Sequence, residues 1–216
     1  MREFRGDASL GLRERKKLRT RATLIDAAVD LCDRQGFDRT TVDQIAAIAD
    51  VSPRTFSRYF ATKDAIALAL IDEALDLAAI ELERQPTDIS HLEAMRRSYV
   101  AMYNGTKASQ SGGLSAERMM CTVRIIMTSP TLRQAALDYR PHAVNLALAK
   151  RIGVDLGSRT LRLISAVWGS IIMTALADLA NDDMDWEQLG IDDVVSRLEA
   201  TFAEFTGLVE DVRHPV

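Results

Sequence analysis

Residues 40–66 read TTVDQIAAIADVSPRTFSRYFATKDAI, and this stretch decides the fold. Thr41 offers a hydroxyl to cap a helix and Gln44 follows three residues later, the pair a capping box needs. Val42, Ile45, Ala46 and Ala49 then recur at helical spacing, and the pattern stops at Asp50-Val51-Ser52. Ser52 is a natural N-cap. Pro53 follows it in the first turn of the next helix, where a missing N–H costs nothing and φ is already suitable. Phe56, Tyr59 and Phe60 form the inward stripe of that helix and leave Arg54, Thr55, Ser57 and Arg58 facing outward. Two short helices joined by a tight turn, the second presenting small polar and basic side chains, have the form of a helix-turn-helix reader.

Upstream, Leu24, Ala28, Leu31 and Cys32 lie on one face of a helix from about Arg13 to Gln35. Gly36 ends it by supplying a left-handed C′ residue, and Phe37 folds back on the helix end. The net charge of −4 conceals a division along the chain: residues 1–63 hold 13 Lys or Arg against 9 Asp or Glu, and the remainder is acidic. Arg13, Arg15, Lys16, Lys17, Arg19 and Arg21 form a dense basic cluster, with Arg54, Arg58 and Lys63 a sparser one. Charge of this kind attracts polyanions without specifying which. A slim helix rich in donors fits a major groove about 12 Å wide, where arginines bond guanine O6 and N7 and a threonine meets a thymine methyl or a phosphate.

The stretch 40–66 resembles the signature of the tetracycline-repressor (TetR) family of transcriptional regulators, approximately T-[TV]-x-x-I-A-x-x-A-G-V-S-x-x-T-x-Y-x-Y-F-x-x-K-x-x-L. The agreement falls at Thr41, Ile45, Ala46, Ala49, Val51, Ser52, Thr55, Tyr59, Phe60 and Lys63. The resemblance is motif-specific over residues 15–66 and architectural afterwards. It implies phosphate contacts from Thr41, Tyr59 and Lys63, base reading by Pro53, Arg54 and Thr55, and a basic N-terminal arm, Arg13 to Lys17, that includes Arg15 and reaches the backbone or a minor groove. Asp50 stands where the family usually has Gly, and Asp tolerates the left-handed φ the turn requires. Ser57 and Arg58 replace frequent aromatics, so Arg58 exchanges stacking for a phosphate or base contact.

The rest of the chain reads as helices. With 47% hydrophobic residues, 11 Gly and 5 Pro in 216, the composition fits a soluble, mostly helical globular protein and not an all-β one. An all-α architecture is expected: a three-helix DNA-binding domain with its basic arm over residues 1–64, and six helices over 65–216 for effector binding and dimerisation, the latter count and roles implied by the resemblance. Gly105 and the loop SQSGG close the fifth helix, and Pro141 kinks or interrupts the seventh. The last two helices carry the apolar stripes Leu161, Ile164, Trp168, Ile172, Leu176 and Val194, Leu198, Phe202, Phe205, Val209. Ser165, Gly169 and Ala203 permit close helix approach. These stripes read as core, and by resemblance as a homodimer interface that presents two readers to a palindromic operator on double-stranded DNA.

The middle helices are rich in methionine, a flexible side chain suited to an adaptable wall or to plain core. The resemblance favours a pocket for a small lipophilic effector, a fatty-acyl chain or planar hydrophobe, contacted by Tyr99, Met102, Tyr103, Met119, Met120, Val123, Arg124, Met127, Tyr139 and Trp168, with His142 a further polar candidate.

Several function classes find no signal. P-loop, GxGxxG, GxSxG and HExxH motifs are missing, so no enzyme is expected. His91, His142 and His214 are isolated, and Asp182, Asp183 and Asp185 read as a solvated loop, so neither a metal nor another cofactor is expected. The longest apolar run, Leu163 to Ala177, is short for a membrane span, and Cys32 and Cys121 read as buried thiols in a reducing cytoplasm. The competing reading is a helical carrier or small-molecule-binding module whose N-terminal helices serve packing alone.

Overall fold

The computed structural model describes residues 11–108, 114–137, 142–181 and 188–213. Among these there are ten helices and no strands. The chain divides into two compact units, Met1–Ile66 and Ala67–Val216.

The first unit holds α1 (Leu12–Gln35), α2 (Val42–Ile48) and α3 (Pro53–Phe56), and α4 (Lys63–Glu83) begins within it. Its core is Leu24, Ile25, Ala28, Leu31, Cys32, Ile45, Ala46, Phe56 and Phe60, all buried. The Thr41 capping box is formed: Gln44 N donates to Thr41 Oγ1 at 3.3 Å and Gln44 Oε1 accepts from Thr41 N at 3.0 Å. The same Oε1 accepts from Gln35 Nε2 at 3.0 Å, which ties the end of α1 to the start of α2. Gly36 has φ 81° and ψ 155°, so it ends α1 from the mirror image of the extended region and not from the expected left-handed helical conformation. Gly alone reaches this region without strain. Arg13 to Lys17 lie within the first two turns of α1, exposed, where an arm was expected.

A cation closes this unit. Lys63 Nζ donates to the carbonyls of Phe37 at 2.9 Å and Asp38 at 3.1 Å and lies 4.6 Å from the centre of the Phe37 ring. The first residue of α4 is thereby fastened to the α1–α2 turn.

The second unit comprises the rest of α4 with α5 (His91–Lys107), α6 (Ala116–Thr128), α7 (Pro130–Leu137), α8 (Ala143–Ile152), α9 (Arg159–Asn181) and α10 (Ile191–Arg213). Gly105 lies inside α5, which runs on to Lys107; an amphipathic helix tolerates one interior glycine at a cost of about 1 kcal/mol. Ten helices stand where nine were expected, because the run taken as one seventh helix is two, α7 and α8. Pro141 falls between them, outside the described residues, as do Tyr139, Asp182, Asp183, Asp185 and His214. Gly153, left-handed at φ 78° and ψ 39°, ends α8. Arg151 then donates to the carbonyls of Gln85, Pro86 and Ile89, which holds the end of α8 against the α4–α5 connection. α10 packs along α9 and α5.

On α5, the Glu93 carboxylate accepts from Arg96 Nε and Nη2 at 2.8 and 2.7 Å and from Arg97 Nε at 2.6 Å, while Arg96 Nη1 reaches Glu199 on α10 at 2.6 Å. The Arg96 bonds, aided by Arg97 and opposed by partial burial, pull the Glu93 carboxyl down from its ordinary 4.5 to about 2.

Two outcomes follow for stability. A depressed carboxyl stabilises the fold above its unfolded pKa, so the Glu93 contribution is complete above about pH 5 and is lost as pH falls toward 2. Discounted for solvent screening it amounts to about 1–2 kcal/mol, and Glu93→Gln should flatten the acid limb of a urea-denaturation series by that amount. Lys63→Met keeps the aliphatic stem and removes both carbonyl bonds, so it should lower the stability of the N-terminal unit by about 1–3 kcal/mol, read as early loss of amide protection at Phe37 and Asp38 in hydrogen exchange.

Candidate nucleic-acid interface and internal cavity

The turn between α2 and α3 is set by backbone bonds from Asp50 N to Ala47 O at 3.2 Å and from Val51 N to Ala46 O at 2.9 Å. This pattern closes a helix only if the residue at its corner is left-handed, and Asp50 has φ 52°, the sole positive φ outside glycine among the described residues. Ser52 then caps α3, its Oγ accepting from Thr55 N at 3.1 Å. Pro53 occupies the first turn.

α3 is one turn long, so packing fixes its orientation. Phe56 is 0% exposed and Phe60 5%, their ring centres 6.0 Å apart, and the Arg21 guanidinium lies 5.2 Å from the centre of Phe60. With those rings inward, Ser52, Pro53, Arg54, Ser57 and Arg58 are exposed on the opposite side, and Thr55 and Tyr59 are half-buried. Tyr59 therefore edges the exposed surface, although its spacing had assigned it to the inward stripe. Thr55 Oγ1 lies 3.0 Å from Ser52 Oγ and Ser57 Oγ donates to Pro53 O at 3.0 Å, so both hydroxyls are steadied by α3 itself. Arg15, Lys16 and Arg19 of α1 line a groove that Ala49 and Val51 of the α2–α3 turn also line. Lys17 is exposed and pairs with Glu14 at 3.6 Å. Thr41 is exposed and engaged in its cap. Lys63 spends two of its three N–H donors on the Phe37 and Asp38 carbonyls, which leaves one for an outside acceptor.

The second unit contains a partly open cavity of about 480 Å³, within the range that holds small organic ligands. Of the residues expected to contact a ligand, Tyr99, Met102, Tyr103, Met119, Val123 and Trp168 line it. Met120, Arg124 and Met127 do not. On α6 the cavity is faced by Met119, Thr122, Val123 and Ile126, spaced i, i+3, i+4 and i+7, and the three excluded residues follow that stripe one position later, about 100° around the helix. Tyr139 lies outside the described residues. Ile71, Ala74 and Leu75 of α4, Asn145 of α8 and Met173 of α9 also line the cavity. These were missed, for their helices read simply as amphipathic and nothing in the spacing separates a stripe facing a void from one facing core. Ser165 and Gly169, expected to let helices approach, line the cavity as well.

The lining is mainly apolar with few polar groups. Burial pushes the Tyr99 hydroxyl up to about 12, tempered by the Trp168 N–H, and raises Tyr103 further, with the neighbouring Tyr99 adding to the effect. Ser165 Oγ donates to Asn145 Oδ1 at 3.0 Å. Among the described residues no group of His, Cys, Asp and Glu is arranged to hold a metal ion.

Residues 24–70 match the family model of bacterial regulatory proteins of the tetR family. The chain is 37% identical over 155 residues to the HTH-type transcriptional regulator TcmR of Streptomyces glaucescens, covering 68% of this chain and 66% of TcmR. It is 30% identical over 86 residues to the regulator RutR of Escherichia coli K12, covering 40% of this chain and 41% of RutR. The aligned region thus spans just under two thirds of TcmR and less than half of RutR. Among solved structures, the fold is similar to Thermus thermophilus FadR, a TetR-family repressor in complex with lauroyl-CoA, with a TM-score of 0.53 at 20% identity over 85% of this chain and 91% of FadR. It is equally similar, at 0.53 and 19% identity over 86% of this chain and 91% of that one, to the complex of SmeT with triclosan. SmeT is the repressor of the Stenotrophomonas maltophilia efflux pump SmeDEF. These relatives are transcriptional regulators and not enzymes. With the turn, the cap and the buried rings of α3 in place over the matched residues, the chain belongs to the TetR family of bacterial regulatory proteins.

Proposed function

We propose that the protein is a ligand-responsive DNA-binding repressor that works in the cytoplasm as a homodimer on a palindromic operator and is released by a small lipophilic effector. The observation that carries this reading is the exposed rim of Arg54, Ser57 and Arg58 standing on the fully buried Phe56, a slim polar ridge of the size a major groove admits. Arg54 reads a base edge, with Pro53 and Thr55 beside it. Thr41, Ser52, Tyr59 and the free N–H of Lys63 meet phosphates, and Ser57, Arg58, Arg15 and Lys17 extend that contact.

Dimerisation is supported by an apolar face left uncovered in one chain. Leu163 on α9 is 62% exposed and Leu208 on α10 59%, with Val209 beside it. The stretch Arg159–Leu179 of α9 is long and apolar enough to cross a membrane by length and composition, with mean hydropathy 1.5, and 28% of it is buried within the chain. A second copy packed through α9 and α10 covers this face and gives the two readers that a two-fold operator requires.

The effector occupies the cavity against Tyr99, Met102, Tyr103, Met119, Val123 and Trp168, an acyl compound or a planar hydrophobe fitting its apolar walls. α4 provides the link: Lys63 is bonded to the α1–α2 turn, and Ile71, Ala74 and Leu75 of the same helix line the cavity. A ligand releases DNA only if it binds the released arrangement better, by about 1.4 kcal/mol for each tenfold loss of operator affinity.

Titration of binding to palindromic and scrambled duplexes against salt tests the proposal. A regulator shows a negative salt slope on both duplexes and a sequence ratio of roughly 10³ or more, whereas a carrier that keeps its N-terminal helices for packing shows neither. Arg54→Ala should cost about 1–3 kcal/mol on the operator and relax base preference; an equal loss on every sequence removes Arg54 from base reading.

A further inference from the structure

One hydroxyl in the cavity wall is unspent. Tyr103 lines the cavity and is 5% exposed, and its hydroxyl bonds to none of the described residues. Its oxygen is not closed over by its surroundings, as the Trp168 nitrogen is, and so faces the empty volume. Burial, with Tyr99 one turn away adding to the effect, keeps the phenol protonated. It is therefore a hydrogen-bond donor whose acceptor has to come with a ligand.

The other polar side chains described in the wall are engaged within the protein. Tyr99 meets Trp168 edge-on at 5.2 Å, and Thr122 Oγ1 donates to Arg118 O at 2.8 Å. Ser165 bonds Asn145 at 3.0 Å, and His142 Nδ1 lies 3.5 Å from the Asp72 carboxylate of α4. Arg162 and Ser170 donate to Gly157 O at 2.7 Å and Ala166 O at 3.0 Å, and both are exposed, so they mark the open side of the cavity. Tyr103 belongs to the inner wall. An acyl chain whose polar head stays in water at the open side brings only hydrocarbon to that depth, whereas a hydrophobe with an oxygen in its body brings an acceptor.

Resting on the assignment of this cavity as the effector site, we infer that the effector is an oxygenated hydrophobe whose inserted body carries a carbonyl oxygen bonded to the Tyr103 hydroxyl, and not a plain alkyl chain held by its head.

Benzophenone and diphenylmethane, alike in shape except for the carbonyl, test this by displacing the neutral dye N-phenyl-1-naphthylamine from the full-length protein. Tyr103→Phe keeps the ring and removes the hydroxyl; it should weaken benzophenone roughly tenfold and leave diphenylmethane within roughly twofold. The sequence has 4 tyrosines, so carbon-13 placed at the tyrosine ζ carbon follows the Tyr103 phenol in wild-type protein whether or not the variant folds. That signal should shift with benzophenone and stay in place with diphenylmethane. An equal loss of both probes in Tyr103→Phe, unchanged benzophenone binding, or a Tyr103 signal that responds alike to both probes overturns the inference while leaving the cavity as the effector site. Failure of both probes to displace the dye overturns that assignment and the inference with it.

Discussion

Burial of Phe56 is the constraint on which the rest depends. A helix of one turn has almost no stability of its own, so α3 exists because Phe56 and Phe60 are held in the core formed by α1 and α2. With those rings fixed, the direction of every other side chain on α3 is fixed too. Arg54 and Arg58 are exposed because the residues at inward spacing are aromatic, and the polar ridge is the reverse side of a hydrophobic anchor. The left-handed Asp50 and the Ser52 cap set the angle at which α3 leaves the turn.

α4 is used at its start and again near its middle. Its first residue is a cation spent on two backbone carbonyls, and two turns later its side chains border an empty volume. A lysine at the start of a helix is read most simply as a surface charge for an external anion. The nearby Phe37 and Asp38 carbonyls give it a second role, as the fastening of α4 to the α1–α2 turn.

In the second unit, apolar side chains are arranged around a gap. The aromatic series Tyr99, Trp168, Phe202 and Phe205, with successive ring centres 5.2, 6.2 and 6.4 Å apart, runs from the cavity wall to half-buried positions on α10. One face of α9 thus lines the cavity through Ser165, Trp168 and Gly169, while Leu163 on another face is exposed. The methionines divide in the same way: Met95, Met102 and Met119 reach the cavity, and Met127 is buried elsewhere.

The sequence by itself determined the caps and the turn of the N-terminal head, for these are set by local interactions. A capping box, a proline in a first turn, an aspartate tolerant of positive φ and two phenylalanines at helical spacing act within a few residues of one another, and each was legible without knowing what lies across the core. It also determined that the remainder is helical, although the boundary inside the run 131–152 was lost because one amphipathic pattern covered two helices. Only the tertiary structure decided where the cavity lies. Periodicity shows which face of a helix avoids water but not whether that face meets another side chain or a void, so Met119 and Met120 were indistinguishable until α6 took its rotation about its own axis. The bonds of Lys63 to the Phe37 and Asp38 carbonyls were hidden for the same reason, since they depend on atoms that the fold brings close from far along the chain.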